Sequence, residues 1–412
     1  MINSVNNKSN QLIQAIESVI SNNTRPVPLH EPSIGKKEVE SVSIAAQSGW
    51  VSYLSNDVDR FEAVLAEITG IPYVVAMNSG TAALHLALIL AGVGPGDEVL
   101  MPSLTFVATA NAVYHAGAIP HFIDIEQETL GISPDILEAH LLKIAKPNKK
   151  IPIINKLTGR RIAAIVPVHI FGHPPKMDEL SEITNRYAIP MVEDSAEALG
   201  SYFNNKHAGS YGIISTLSFN GNKIVTTGGG GALMTHNRNL AELARHLSST
   251  AKIPHPWKFD HDEVAFNYRM PGINAALGIP QLERVDLLLK QKRNLFQCYH
   301  KAFQDISWMK LFTEPRNAKS NFWLNAIILK NDGENIKERY KRNIDEENLS
   351  LRDAILEKSI AAGIHMRPAW TPMHKLPMFS HCQKSDLHIT ESLEKRIICL
   401  PSSPKLMEIS NG

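Results

Sequence analysis

A chain of 412 residues, 43% of them hydrophobic and 20% charged, can bury a large core and divide into two domains, so disorder is not its default state. Its 42 basic residues nearly cancel 41 acidic ones, leaving a formal net charge of +1. That balance offers no bulk field for nucleic acid or an anionic membrane and favours a small-molecule partner.

Three cysteines, Cys298, Cys382 and Cys399, make no disulfide framework in so long a chain and fit a reducing, cytoplasmic setting. Residues 1–24 are rich in Asn and Ser, lack the basic flank and apolar core of a signal peptide, and are read as an N-terminal extension. The most apolar window, Ala82 to Gly92, contains His85 and is well short of the ~20 residues needed to cross a bilayer. It reads as a buried helix, and no membrane partner is expected.

From Tyr73 to His236 short apolar runs alternate with longer stretches of helical spacing, the pattern of an α/β layer fold. In chain order this predicts a strand over Tyr73–Met77, a helix over Thr81–Ala91, a strand over Glu98–Pro102 and a helix over Thr105–Ala116. A strand over Ile119–Ile125, a helix over Ser133–Ile144 and an inserted loop or hairpin over Pro147–Arg161 come next. Then follow a strand over Ile162–Val168, a helix over Met177–Tyr187, and strands over Ile189–Val192, Ile214–Phe219 and Gly231–Thr235. One long helix is predicted over Ile273–Phe303, leading into a smaller α+β region with apolar runs at Leu324–Leu329 and Gly363–Met366. Between those runs Asn331–Ser350 interleaves Lys and Arg with Glu and Asp and reads as a solvated loop.

Three elements carry chemistry. Asn78-Ser79-Gly80-Thr81-Ala82-Ala83 follows a strand and opens a helix, so the N–H groups of Gly80, Thr81 and Ala82 point at whatever lies at the helix N-terminus, a place suited to phosphate. Taken alone, a Gly-Thr helix start with no ligand is the commoner case. The Gly-Lys-Ser/Thr element is missing and no Gly-x-Gly-x-x-Gly opens the first helix, so cofactors held by nucleotide loops lose ground. Val192-Glu193-Asp194-Ser195-Ala196-Glu197 places carboxylates at the C-terminal end of a buried strand, where α/β folds hold their ligands, although a helix cap or an Arg partner would explain Asp194 equally well. Leu217-Ser218-Phe219-Asn220-Gly221-Asn222-Lys223 ends a strand in a polar turn with one Lys, and Gly228 to Gly231 follow closely and permit close backbone approach. No zinc or magnesium site is expected: His169 and His173 flank Gly172 and run into Pro174-Pro175, and no His clusters with Cys at zinc spacing.

Together these elements resemble the sugar aminotransferases of the DegT/DnrJ/EryC1/StrS family over roughly Pro28 to Pro404. The resemblance implies the type I, aspartate-aminotransferase-like fold of pyridoxal-phosphate-dependent transferases: a large α/β/α cofactor-binding domain over residues 25–290 and a smaller C-terminal α+β domain over 291–412. It implies that Lys223 bonds the cofactor, that Asp194 pairs with the pyridine nitrogen, and that Ser218 and the Gly80-Thr81-Ala82 turn hold the phosphate. Phe106 matches the aromatic residue that stacks on the cofactor ring. Ala265-Phe266-Asn267-Tyr268-Arg269-Met270 matches a Gly-Tyr-Asn-Tyr-Arg-Met segment, with Ala265 and Phe266 as departures, whose Asn reaches the phosphate of the neighbouring subunit. That implies a homodimer with shared sites. Glu197 stands where many members carry Gln or His near the cofactor's ring oxygen.

The residue types suit the reaction. Lys supplies a primary amine on a flexible stem, which can bond the cofactor and afterwards move a proton as base and acid. A carboxylate keeps the pyridine nitrogen protonated so that the ring accepts electrons. The implied activity is transfer of an amino group from a donor such as glutamate, through pyridoxamine 5'-phosphate, to a nucleotide-linked keto sugar. Dehydratases of the same fold replace the cofactor-bonding Lys with His, which Lys223 argues against, and a non-catalytic cofactor-binding regulator would need a partner-binding extension. Pro28–Pro32, Asn155–Arg160, Thr250–Trp257 and Met366–Trp370 are similar to members acting on UDP-linked 4-keto-6-deoxy-N-acetylglucosamine, on routes to bacillosamine or legionaminic acid. Lys252, Arg269, Arg367 and His374 are the cations expected near a diphosphate or a donor carboxylate, and Trp370 or Trp257 would stack on the uracil or pack a domain junction.

Overall fold

The computed structural model describes residues 2–20, 25–145, 152–330 and 344–407. In chain order α1 (Ile2–Ile20), α2 (Lys36–Ser48) and α3 (Asn56–Thr69) precede β1 (Tyr73–Met77), α4 (Gly80–Leu90), β2 (Glu98–Pro102), α5 (Val107–His115), β3 (Ile119–Ile123) and α6 (Pro134–Ile144). β4 (Ile162–Ile165), α7 (Met177–Tyr187), β5 (Val192–Asp194), the short β6 (Tyr202–Phe203) and β7 (Lys206–His207), β8 (Ile214–Ser218), β9 (Gly231–Thr235) and α8 (Arg238–Ser248) complete the alternating part. α9 (Gly272–Leu282) and α10 (Val285–Phe303) lead to β10 (Met309–Leu311), β11 (Ala318–Lys319), β12 (Asn325–Leu329), α11 (Ile344–Ala361), β13 (Arg367–Pro368), α12 (His388–Glu394) and β14 (Ile397–Leu400).

The predicted apolar runs become a sheet in two paired segments, β3-β2-β4 and β5-β8-β9-β1. They join where Ile165 N–H donates to Pro190 O at 2.9 Å and Asp194 N–H to Pro167 O at 3.0 Å, with parallel bridges at Ile165–Met191 and Val168–Asp194. β9 alone runs antiparallel to its neighbours. The strands are buried on both faces, as expected where helices cover a mainly parallel sheet. The C-terminal region is a separate antiparallel sheet, β10-β12-β14-β13.

Several boundaries differ from the sequence expectation. The strand expected over Ile189–Val192 forms its ladder over Val192–Asp194, with Ile189 to Met191 leading in through an isolated bridge. The single helix expected over Ile273–Phe303 is two. Arg284 leaves the helical region at φ −117, ψ 19, and its guanidinium holds Glu38 at 3.0 Å and Ser33 Oγ at 3.2 Å. Pro280 sits within α9; the carbonyl of Ala276 that its missing N–H would have served accepts Ser41 Oγ at 2.7 Å instead. Of the charged stretch expected as a loop, residues 331–343 lie outside the described residues, and from Ile344 it forms the start of α11. The apolar run at Gly363–Met366 is a turn and crossing, with Gly363 at φ +68, before the ladder begins at Arg367. Of the inserted segment, residues 146–151 lie outside the described residues; the remainder forms a small hairpin closed at Ile154–Arg161.

α1 packs far from its sequence neighbours. Its apolar stripe, Leu12, Ile13, Ile16 and Ile20, is buried in one cluster with Leu295, Tyr299 and Phe303 of α10 and Leu351 and Ile355 of α11. Among the described residues no helix is long and apolar enough to cross a membrane.

Candidate active site

The C-terminal ends of β5 and β8 and the turn from β1 into α4 converge on one cavity of about 300 Å³. Ser79 caps α4, its Oγ accepting the Ala82 N–H at 3.1 Å. Of the three N–H groups at this helix start, that of Ala82 meets the cap, and those of Gly80 and Thr81 have no acceptor earlier in the helix. Close approach explains the glycines. A Cβ on Gly80 would stand 2.9 Å from Ser218 Cβ, and one on Gly231 would stand 2.5 Å from the Ser79 carbonyl carbon. The start of α4 and the Ser218 hydroxyl are thereby brought together, a pairing of donors suited to an anion.

Asp194, 7% exposed, ends β5 with no basic partner in contact among the described residues: Oδ1 accepts the Ala196 N–H at 3.2 Å and Oδ2 the Thr109 hydroxyl at 2.8 Å. Thr105 meets Thr109 at 2.8 Å in turn. Such a carboxylate has acceptor capacity left for a cationic N–H within the cavity.

Lys223 follows β8 in a turn closed by its own N–H on Asn220 O at 2.9 Å. Its side chain is 12% exposed and places Nζ 3.4 Å from Glu197 Oε1 and 3.7 Å from the centre of the Trp323 ring. Burial lowers the Lys223 pKa, against the opposing pull of Glu197 and Asp194. Burial likewise pushes the Glu197 carboxyl up to about 7, with Asp194 adding to the shift and Lys223 and the Phe171 N–H, 2.8 Å from Oε2, opposing it. A lysine so placed gives up its proton more readily than one in water, which is what a nucleophilic amine and a proton carrier require.

Phe106 stands at the mouth of the cavity, 53% exposed, with its ring 6.3 Å from that of Trp370; both line the cavity. Other expected substrate contacts lie elsewhere. Arg269 is buried against Glu62 at 3.1 Å, and His374 is held by Ser103 at 2.7 Å and Glu391 at 3.0 Å. Arg367 is exposed, with Nη1 on the Met366 carbonyl at 3.1 Å, and Lys252 Nζ lies 3.9 Å over the Phe259 ring. Asn267 is exposed, and its carbonyl accepts Asn78 Nδ2 at 3.4 Å. Thr109 and Trp323 are wall residues that sequence reasoning did not single out. Thr109 lies three residues after Phe106 in the helix expected over Thr105–Ala116, whereas nothing local marks Trp323.

The donor set fits pyridoxal phosphate: a phosphate cradle at Gly80, Thr81 and Ser218, an acceptor-only carboxylate at Asp194, and a primary amine at Lys223. Bound there, this cofactor supplies a carbonyl that an amine can capture and a ring that accepts electrons. Fold and site thus define a type I pyridoxal-phosphate-dependent aminotransferase. The model of the DegT/DnrJ/EryC1/StrS aminotransferase family matches residues 32–410, and the chain belongs to that family. It is 36% identical to a putative pyridoxal phosphate-dependent aminotransferase, EpsN, of Bacillus subtilis (strain 168), across 94% of each chain. To the GDP-perosamine synthase of Escherichia coli O157:H7 it is 34% identical, across 92% of this chain and 94% of that one. The crystal structure of DesI in the presence of its TDP-sugar product superposes with a TM-score of 0.77 at 26% identity, covering 92% of this chain and 88% of that one.

Proposed function

We propose that this aminotransferase moves an amino group from glutamate to the 4-keto carbon of a UDP-linked 4-keto-6-deoxy-N-acetylhexosamine. The observation that carries the reaction is the Lys223 amine, set between Glu197 and Trp323 in the same cavity as Asp194. Lys223 would be the residue that bonds the cofactor, and its Nζ, free of that bond, would carry a proton from the donor's carbon and, in the second half of the reaction, deliver one to the sugar's C4. Asp194 keeps a proton on the ring nitrogen. Gly80, Thr81 and Ser218 would hold the phosphate, and Phe106 and Glu197, which line the same cavity, would hold the ring. Asn267 serves the phosphate of a second copy, so the working unit is a homodimer. Trp370, which lines the cavity, faces the sugar nucleotide.

The UDP-sugar reading is supported by the sequence segments at Pro28–Pro32, Asn155–Arg160, Thr250–Trp257 and Met366–Trp370. Relatives named for GDP- and TDP-sugars define the alternatives to test. Purified protein is to be assayed with glutamate against UDP-, GDP- and dTDP-linked 4-keto-6-deoxy sugars. The expected outcome is a preference for the UDP-linked N-acetylated sugar; a higher kcat/KM with a GDP-linked sugar overturns the substrate assignment and leaves the reaction intact. Lys223→Ala is expected to abolish turnover and the borohydride-reducible bond to cofactor, and turnover at a comparable rate would refute the lysine's role.

A further inference from the structure

We propose that Trp323, reaching the site from the C-terminal region, is a positioning residue for Lys223, with its indole N–H fixing the lysine turn and its ring face holding the amine. This inference rests on the reading of Lys223 as the cofactor-bonding lysine. Trp323 lies two residues before the start of β12 and is 4% exposed. Its Nε1–H donates to Asn222 O at 2.8 Å, the carbonyl next to Lys223 in the chain, while its ring lies 3.7 Å from Lys223 Nζ. One side chain thus grips both the backbone and the head group of the same lysine.

Trp323 is itself held on all sides. Its N–H donates to Asn321 Oδ1 at 2.8 Å, and its carbonyl accepts the buried Lys292 Nζ at 3.0 Å. Asn321 Nδ2 also donates to Glu197 O at 2.8 Å and Leu199 O at 2.9 Å. The two groups that flank the Lys223 amine, the Glu197 carboxyl and the Trp323 ring, are therefore spaced by a single amide. When Lys223 is free of cofactor and protonated, the ring face stabilises the ammonium. When it is neutral, the anchored turn keeps Nζ aimed into the cavity, so that little orientation is lost before bond formation.

The test uses the full chain freed of cofactor, as wild type, W323F and W323L. Acetic anhydride labelling of Lys223, read by mass spectrometry against exposed lysines, gives the pH midpoint of the amine, and hydrogen exchange gives the protection of the Lys223 N–H. Phe and Leu both truncate the indole, but only Phe keeps a π face, so the midpoint in W323L is expected to lie about 0.5 pH unit or more below that in W323F. Neither variant carries the indole N–H, so both are expected to exchange the Lys223 N–H at least about threefold faster. The titratable and charged groups around the amine are Glu197 and Asp194 and, beyond the indole, His30 and Lys292, and every variant retains them. If W323L does not fold, W323M fills the same space with an unbranched side chain and gives the same reading. A midpoint equal in W323L and W323F, or exchange unchanged in both, overturns the proposal. Borohydride reduction of wild-type holoenzyme with peptide mapping tests the underlying reading separately: cofactor on another lysine sinks that reading, and cofactor on Lys223 with an unmoved midpoint sinks the role of Trp323 alone.

Discussion

Asp194 is a buried carboxylate that ends β5 inside the cavity. With Thr109 and the Ala196 N–H as its only close partners among the described contacts, it can take a positively charged N–H without first breaking an ion pair. Asp194→Asn keeps the shape and removes the charge, so cofactor is expected to remain bound while kcat falls by about a hundredfold or more, the scale of removing one preorganised electrostatic partner. Near wild-type kcat in the variant would assign the ring nitrogen to another group. The local part of this site was legible in the sequence because Asp194, Ser218, Gly80 and Lys223 each sit where a strand ends, and strand ends show as apolar runs stopping at polar turns. Trp323 was not legible. It meets Lys223 only because the C-terminal region folds back over the large sheet, and no spacing within the chain encodes that contact. The pairing of Arg269 with the buried Glu62 was equally hidden, since the two lie more than two hundred residues apart in sequence.

Between residue and domain, short segments decide whether the site is assembled. The turn at Ile170–Gly172 has Phe171 at φ +56 and Gly172 at φ +90. Phe171 serves the Glu197 carboxyl, and a Cβ on Gly172 would fall 1.8 Å from Asn321 Oδ1. Gly172→Ala is therefore expected to cost on the order of 2 kcal/mol or more, lowering the melting temperature, and to weaken cofactor affinity by displacing Asn321. Full retention of both would show that the turn adjusts freely.

The β6–β7 hairpin supplies a pH dependence. His207 Nε2 accepts the Gly200 N–H at 2.9 Å, which requires a neutral ring, and burial lowers its pKa to about 4. The unfolded chain takes up a proton near the ordinary value of 6.5. Its contribution to stability is thus complete above 6.5 and is lost as pH falls toward 4. Melting temperatures measured across that window are expected to decline less in His207→Gln; parallel curves would remove His207 as a cause. These elements were the hardest to read from sequence. β6, β7, β11 and β13 are two residues each, too short for alternation to register, and the break at Arg284 depends on Ser33 and Glu38, which lie far away in sequence. The longer strands and α4 to α7 announced themselves because each buries an unbroken run or stripe.

At the scale of the whole molecule, the proposed dimer is open to a complementation test. Lys223→Ala and Asn267→Ala chains, each inactive or severely impaired alone, are to be unfolded together and refolded in equal amounts. With random pairing half the dimers are mixed, and each mixed dimer holds one site with both residues intact, so about a quarter of all sites should recover. No recovery despite demonstrated mixed dimers would remove the shared-site arrangement. The packing of α1 has a different consequence, one that concerns the order of synthesis. Gln11 finds its partner in Trp308, 297 residues later, and Leu12, Ile13, Ile16 and Ile20 find theirs on α10 and α11. At about 5–20 residues per second, this helix spends roughly 15–60 s outside the ribosome with an uncovered apolar stripe. Its surroundings in that interval are whatever the cell provides, and the C-terminal region cannot close its core until almost the whole chain has emerged.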